Sequence, residues 1–322
     1  MDLVFHNQVT FEELTNEKIN YLICAVGYEN RCTYISKNLS LKNIEKFALA
    51  YNESMYSNER LFNYNFFKSH NFKIYETENN STSTIIKILT EIKNQCYAKH
   101  INILIDYSCM PRLWIAAIFE FLYKYDISAE KISLYFAYIP RKFNHFIKSV
   151  DLISENLLFK FTQKIKNNLP IALIISANPY IKNYEKLISS FNPNKIYIFL
   201  PEFYYLNEQI SLDNFSYKFF NDYVDKKETV FYNLLQLNEL YANINSLILN
   251  LRNKFKIIII PAGPKPFTLI TLLLTYQYPD IEIHNWLYRI KDNGNHNKGE
   301  PTGLPIITKV VFVPEYVEDN DI

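Results

Sequence analysis

The chain has 322 residues, enough for one large domain or two ordinary ones, and 48% of them are hydrophobic, enough to build a substantial core. Thirty-four Lys and Arg against thirty-three Asp and Glu leave a formal charge of +1, so no global field draws the chain to duplex nucleic acid or an anionic membrane. Cys24, Cys32, Cys96 and Cys109 show no CxxC or Cys/His metal spacing, so neither a metal site nor a cofactor is expected.

In chain order, short β-rich runs alternate with helical stretches, the pattern of an α/β fold with mainly parallel sheets. Strands are predicted at 21–27, 44–51, 72–78, 101–107 and 131–139, with helices at 31–39, 58–69, 83–96 and 111–124. A helical connection is expected near 145–169. A second series follows, with strands at 171–177, 195–201, 215–220, 256–262 and 281–288, and helices at 180–191, 228–253 and 265–276.

Aligned on each other, the two series keep an offset of 150 to 153 residues at three landmarks. Gly27 stands opposite Ala177, Tyr51 near Pro201, and Pro111-Arg112 opposite Pro264-Lys265. The expected architecture is two tandem Rossmann-like three-layer units, residues 1–150 and 165–322, forming a pseudo-dimer. No basic n-region with an apolar core opens the chain, and no apolar run reaches the roughly 18–20 residues of a membrane span, so the expected location is the cytoplasm, with no membrane partner.

In parallel sheets, ligands bind beyond the carboxyl ends of the strands, where helix N-termini offer free N–H groups to anions. The first strand runs into GYENRCTYIS, where Gly27 permits a tight turn or close approach and Tyr28, Glu29 and Arg31 crowd the edge. The fourth runs into DYSCMPRLW, with Asp106 and Ser108 at its end, Pro111 suited to a first helical position, and Arg112 in the first turn. A cation there opposes the helix dipole unless an anion is held nearby, and Lys265 behind PAGP repeats the placement. Asn178 and Gly263 mark the matching turns of the second series. The loop YNESMYSNER, with Asn52, Glu53 and Arg60, reads as a solvated face, as does Glu202. His284 and Trp286 share a strand face, more typical of core than of base stacking. Three of the five glycines fall in residues 291–305, a candidate lid carrying His296 and Lys298. Walker A, GxGxxG, GxSxG and HExxH motifs do not occur.

The pattern Asp-x-Ser-x-x-Pro-Arg before an apolar, alanine-containing helix resembles the signature of the CRISPR-associated Rossmann-fold (CARF) sensor superfamily, and PAGPKPFTLITLL resembles it more weakly. In that family the strand ends in Asp or Asn, then Ser or Thr, then a Gly-Thr-Lys turn. Here the double glycine and threonine are missing and Arg112 stands for the lysine. The resemblance implies a cytosolic antiviral sensor of a cyclic or linear oligonucleotide-like ligand, with a separate effector protein for output. Gly27, Tyr28, Arg31, Ser108, Arg112, Asn178, Gly263 and Lys265 would then contact the ligand at the carboxyl ends of the strands, in one composite site between the two Rossmann-like halves. Two other readings stand beside it: a nucleotide-processing enzyme using Glu29 or Asp106 for phosphodiester or N-glycosidic cleavage, and a scaffold subunit of a defence complex.

Overall fold

A computed structural model describes residues 1–40, 42–51, 57–78, 81–95, 99–125, 127, 129–141, 150–159, 169–177, 184–202, 228–290 and 299–314. The chain is α/β, with two mainly parallel sheets compatible with two Rossmann-like units. It divides into two compact units: Met1–Lys142 with Lys298–Ile322, and Phe143–Asn297.

The first unit holds strands β1 (Asp2–Val9), β2 (Tyr21–Val26), β3 (Glu45–Tyr51), β4 (Lys73–Thr77), β5 (His100–Asp106), β6 (Lys131–Tyr138) and, from the far end of the sequence, β13 (Ile306–Val313). They lie in the order β1-β13-β6-β5-β2-β3-β4, and β2 to β6 run parallel. Its helices are α1 (Phe11–Thr15), α2 (Tyr34–Asn38), α3 (Asn58–Ser69), α4 (Ser83–Gln95) and α5 (Arg112–Lys124), and a 3-10 turn at Asn30–Thr33 precedes α2.

Burial explains why these segments adopt these forms. Leu22 to Val26 are all buried, as a central parallel strand covered on both faces requires. On one face Leu22, Cys24, Val26, Ala48 and Ala50 pack with Ile35 and Leu39 of the α2 region and Phe67 of α3. On the other, Trp114 of α5 meets the Tyr51 ring edge-on at 6.0 Å, and Phe119 stacks on Phe136 at 5.6 Å. Helix α4 brings Ile85, Ile88, Leu89 and Ile92 onto one buried stripe, each removal from water contributing about 1.5–3 kcal/mol.

The second unit holds β7 (Val150–Phe159), β8 (Ile171–Ser176), β9 (Lys195–Pro201), β10 (Thr229–Tyr232), β11 (Lys256–Pro261) and β12 (Glu282–Ile290), with α6 (Tyr184–Phe191), α7 (Leu237–Leu251) and α8 (Lys265–Gln277). Its order is β10-β9-β8-β11-β12-β7, parallel except for β7. Leu173, Ile175, Ile258 and Ile260 pack with Tyr184 and Leu187 of α6, while Phe267 of α8 meets the Phe199 ring at 5.5 Å.

The two sheets share one plan. In each, the first parallel strand (β2, β8) sits between the second (β3, β9) and the fourth (β5, β11), which makes a topological switch point at its carboxyl end. The helices after the fourth strands begin alike: Pro111 (φ −58°, ψ 149°) and Pro264 (φ −59°, ψ 147°) are N-caps, and Arg112 and Lys265 are first helical residues. The prolines therefore stand one position earlier than expected.

Three expectations are corrected. Residues 150–159, read as part of a helical connection, form β7, which pairs antiparallel with β12; pairing along that edge overrides the weak local propensity of Ser154, Glu155 and Asn156. Residues 229–232, read as the start of a long helix, form β10 on the edge of β9. The boundary at residues 150 and 165 also shifts, because β13 pairs antiparallel with both β1 and β6 and so belongs to the first unit. Strand β1 went unread, because His6-Asn7-Gln8 interrupts its apolar pattern. The predicted strand 215–220 lies outside the described residues.

The antiparallel strands are thus exchanged along the sequence. Strand β7 follows β6 in the chain but completes the second unit's sheet, and β13 follows β12 but completes the first's.

Candidate functional site

The switch point of the first unit gathers most of the residues singled out from the sequence. Gly27 is buried, and a Cβ on it would lie 2.7 Å from Tyr51 Oη, 3.1 Å from Cys32 Sγ and 3.3 Å from Cys109 Cβ. Glycine is needed there because three chain segments converge on one backbone position. The Gly27 amide donates to Cys32 Sγ at 3.0 Å, and that thiol donates to Ala25 O at 3.2 Å. Burial pushes the Cys32 and Cys24 thiols well above their ordinary values, so both are structural groups rather than nucleophiles.

Glu29 pairs with Arg31 Nε and accepts from Arg141 Nη1 at 3.0 Å. Arg31 is only 4% exposed; its Nη1 donates to Ile139 O at 2.7 Å, and its guanidinium lies 5.3 Å from the Tyr138 ring centroid. Ser108 Oγ accepts from the Ile139 amide at 2.9 Å, and the Ser108 amide donates to Asp106 Oδ1 at 3.0 Å. Glu29, Arg31, Asp106 and Ser108 therefore form one lattice that ties together the carboxyl ends of β2, β5 and β6. Tyr28 and Arg112 are half-buried beside it. A buried charge pair with added hydrogen bonds holds geometry, and Glu29 is committed to two guanidiniums.

Residues of the Gly-rich segment return to this edge. The Arg31 amide donates to Gly299 O at 3.2 Å, the Thr302 amide donates to Pro140 O at 2.9 Å, and Arg141 bridges Pro301. His296 and Lys298 lie outside the described residues, as do Asn52, Glu53, Asn178 and the side chain of Trp286.

Beside the lattice, a cleft of about 360 Å³ opens between the 3-10 turn with α2, the start of α3, and Glu300-Pro301. The sequence reading missed it entirely. Asn63, 1% exposed, donates through Nδ2 to Gly27 O at 2.9 Å and Glu29 O at 3.0 Å, which anchors the turn to α3. Its Oδ1 is buried without a hydrogen-bond partner, and so is Thr33 Oγ1. Both residues line the cleft. Each unsatisfied buried polar atom costs about 1–3 kcal/mol. Lys37 stands at the rim, 5.5 Å from the Phe62 ring and 5.2 Å from the Phe66 ring, and pairs with no carboxylate among the described residues. Sequence spacing gives only one hint: Arg60 and Asn63 stand three apart, on one side of a helix.

Arg60 departs from the expected solvated face. It is 5% exposed in the first turn of α3, Nη2 reaches Tyr51 O at 3.4 Å, and burial lowers its affinity for the proton. Glu202 is exposed as expected, its amide donating to Tyr232 O at 2.8 Å. His284 packs between Glu282, 3.3 Å away, and the Phe191 ring, 5.1 Å away.

In the second unit the glycine has moved to the other side of the switch point. A Cβ on Gly263 would overlap Ser176 Oγ and come within 3.1 Å of Ala177 O. Lys265 is half-buried at the head of α8, whose residues Pro266 to Thr275 are all buried. Among the described residues no group of His, Cys, Asp and Glu could hold a metal ion, and no helix is long and apolar enough to cross a membrane. No protein-family model matches the chain, and no curated protein matches it.

Proposed function

We propose that this chain binds a nucleotide-like anionic ligand, cyclic or linear, as the sensing component of a cytosolic antiviral system, with output through a separate effector protein. The observation that carries the reading is the cleft beside the Gly27 turn. It lies at the carboxyl edge of a parallel sheet, next to a switch point, where the α/β plan places ligands. Lys37 supplies a cation at its rim, and Asn63, which anchors the Gly27 turn, lines its wall. The resemblance of DYSCMPRLWIAA to the CARF turn supports the choice of ligand class.

The lattice changes the expected division of labour. Arg31, Asp106 and Ser108 shape the edge from within, and contact with the ligand falls to side chains around the cleft. The same burial weakens the alternative in which Glu29 or Asp106 does acid-base chemistry, since Glu29 is committed to two guanidiniums and Asp106 Oδ1 to the Ser108 amide. Calorimetry against cyclic and linear oligonucleotides tests the proposal. Binding of one class with micromolar or tighter affinity is expected; no heat from any of them at high micromolar concentration overturns it.

A further inference from the structure

Two thiols meet at the Gly27 turn. A Cβ on Gly27 would stand 3.1 Å from Cys32 Sγ and 3.3 Å from Cys109 Cβ, so both cysteines border the one small space that the missing side chain leaves. They come from different elements, Cys32 from the 3-10 turn after β2 and Cys109 from the loop between β5 and α5. Contact between them is direct: after burial, a side-chain hydrogen bond with Cys109 is the next cause that holds the Cys32 thiol well above its ordinary value. Their surroundings differ. Cys32 is 2% exposed and already bonded to the Gly27 amide and to Ala25 O, whereas Cys109 is partly open to solvent. Cys24 is buried in the face of β2 that packs on α2, with Ser36 Oγ 3.8 Å from its sulfur.

Oxidation selects among thiols by exposure and by what stands next to them. A small oxidant reaches Cys109, and burial keeps it from Cys32. An oxidised Cys109 then has a second thiol in contact, and contact replaces acidity as the property that makes Cys32 react. We infer that Cys32 and Cys109 are a redox pair, which a peroxide closes into a disulfide. In the first step the Cys109 sulfur attacks one peroxide oxygen. The O–O bond breaks, the sulfur becomes a sulfenic acid, and the thiol proton leaves with the released hydroxide as water. In the second step the Cys32 sulfur attacks the sulfenic sulfur. The S–O bond breaks, the S–S bond forms, and the Cys32 proton leaves with the departing hydroxide as a second water. Two thiols are oxidised and one peroxide is reduced; a dithiol reductant reverses the change by exchange.

Closing the bond removes the proton that Cys32 gives to Ala25 O, so oxidation acts on the turn after β2. Cys32 lies between Asn30 and Thr33, which line the cleft, and the pair is therefore a device that alters the cleft wall. It goes beyond the nucleotide reading and stands without it.

Cleavage after Lys and Arg places the four cysteines on separate peptides: 19–31 with Cys24, 32–37 with Cys32, 94–99 with Cys96 and 100–112 with Cys109. The test treats the native full chain with hydrogen peroxide in slight molar excess, blocks the remaining thiols with iodoacetamide, and maps a tryptic digest by mass spectrometry. Peptide 32–37 should be joined to 100–112, lighter by two hydrogens than the free pair, and released by dithiothreitol. Cys109→Ser should leave Cys32 a free thiol after the same treatment, and Cys32→Ala should hold Cys109 as a sulfenic acid that dimedone captures. A Cys109 bridge to 19–31 or 94–99 overturns the inference, and so does a bridge that forms only in urea. Cys109 driven to sulfinic acid without a bridge in the wild type, or survival of all four thiols, overturns it as well. The wild-type map decides by itself, whatever the folding of the variants.

Discussion

Gly299 lies against the side chain of Glu29: a Cβ on it would stand 2.7 Å from Glu29 Cβ and 2.8 Å from Glu29 Cγ. The two residues are 270 positions apart in the chain, yet this contact lets the returning segment close over the β2 turn. The φ of +57° at Gly299 adds a second reason for glycine.

Gly299→Ala should therefore destabilise the protein more than Gly303→Ala. Both glycines have positive φ, +57° and +68°, but only Gly299 has a neighbour within 4 Å of the added Cβ. The backbone penalty of about 1 kcal/mol is shared, and the excess loss at Gly299 measures the clash with Glu29. Urea denaturation of the two variants decides it; equal losses refute a tight Gly299–Glu29 approach.

Glu29→Gln should cost about 3–5 kcal/mol, because it leaves the buried Arg31 cation beside a neutral amide. A Glu29→Gln, Arg31→Met double variant should recover part of that loss, since the deeply buried guanidinium is then removed with its partner and only the more exposed Arg141 loses its contact to Glu29. Chemical denaturation of the single and double variants measures the coupling, and a loss below about 1 kcal/mol for the single variant would show that the lattice is not structural.

Gly263→Ala should destabilise the second unit, since the new methyl overlaps Ser176 Oγ. Combining it with Ser176→Ala removes that overlap but leaves Ala177 O at 3.1 Å, so partial recovery of the thermal midpoint is expected. Ser176→Ala alone loses only the 3.3 Å hydroxyl contact with Tyr232 and should cost about 1 kcal/mol.

The hydrogen bond from Lys309 Nζ to Glu17 Oε1, at 2.8 Å, lowers the Glu17 carboxyl below its ordinary value of 4.5, against an opposing effect of burial. A depressed folded-state value means the unfolded chain takes the proton first as pH falls. Glu17 thus stabilises the fold above the ordinary carboxylate range, and that contribution is lost as pH drops through the folded value. The pair is partly exposed and screened by solvent, so Glu17→Gln should cost less than about 1 kcal/mol at neutral pH. Thermal midpoints of wild type and variant should converge in acid; a constant gap across the titration would contradict the pairing.

Much of the fold is legible in local chemistry. ICAV, ILID, IIIIP and similar short β-branched runs read as buried strands, and the Pro-cation pairs at Pro111-Arg112 and Pro264-Lys265 mark helix starts within one residue. The candidate site was half legible. Gly27, Glu29, Arg31, Asp106 and Ser108 stand out as unusual types at strand ends, and the sheet order brings them together. Lys37, Thr33 and Asn63 look like ordinary surface residues in sequence, because nothing local says that Asn63 will spend both amide protons on the turn after another strand.

The sequence by itself determined two α/β units of equal plan, since strand and helix periodicity and the offset between the series are properties of short segments. Tertiary structure decided which antiparallel strand completes which sheet, because β7 and β13 gain their pairing energy only from edges remote in the chain. It also decided the sense of the buried charges: Arg31 faces inward to Glu29 and Ile139, and Thr33 Oγ1 and Asn63 Oδ1 are among the buried polar atoms left without hydrogen-bond partners. Hydrogen-bond satisfaction is settled only when distant backbone arrives, so no stretch of sequence could assign it alone.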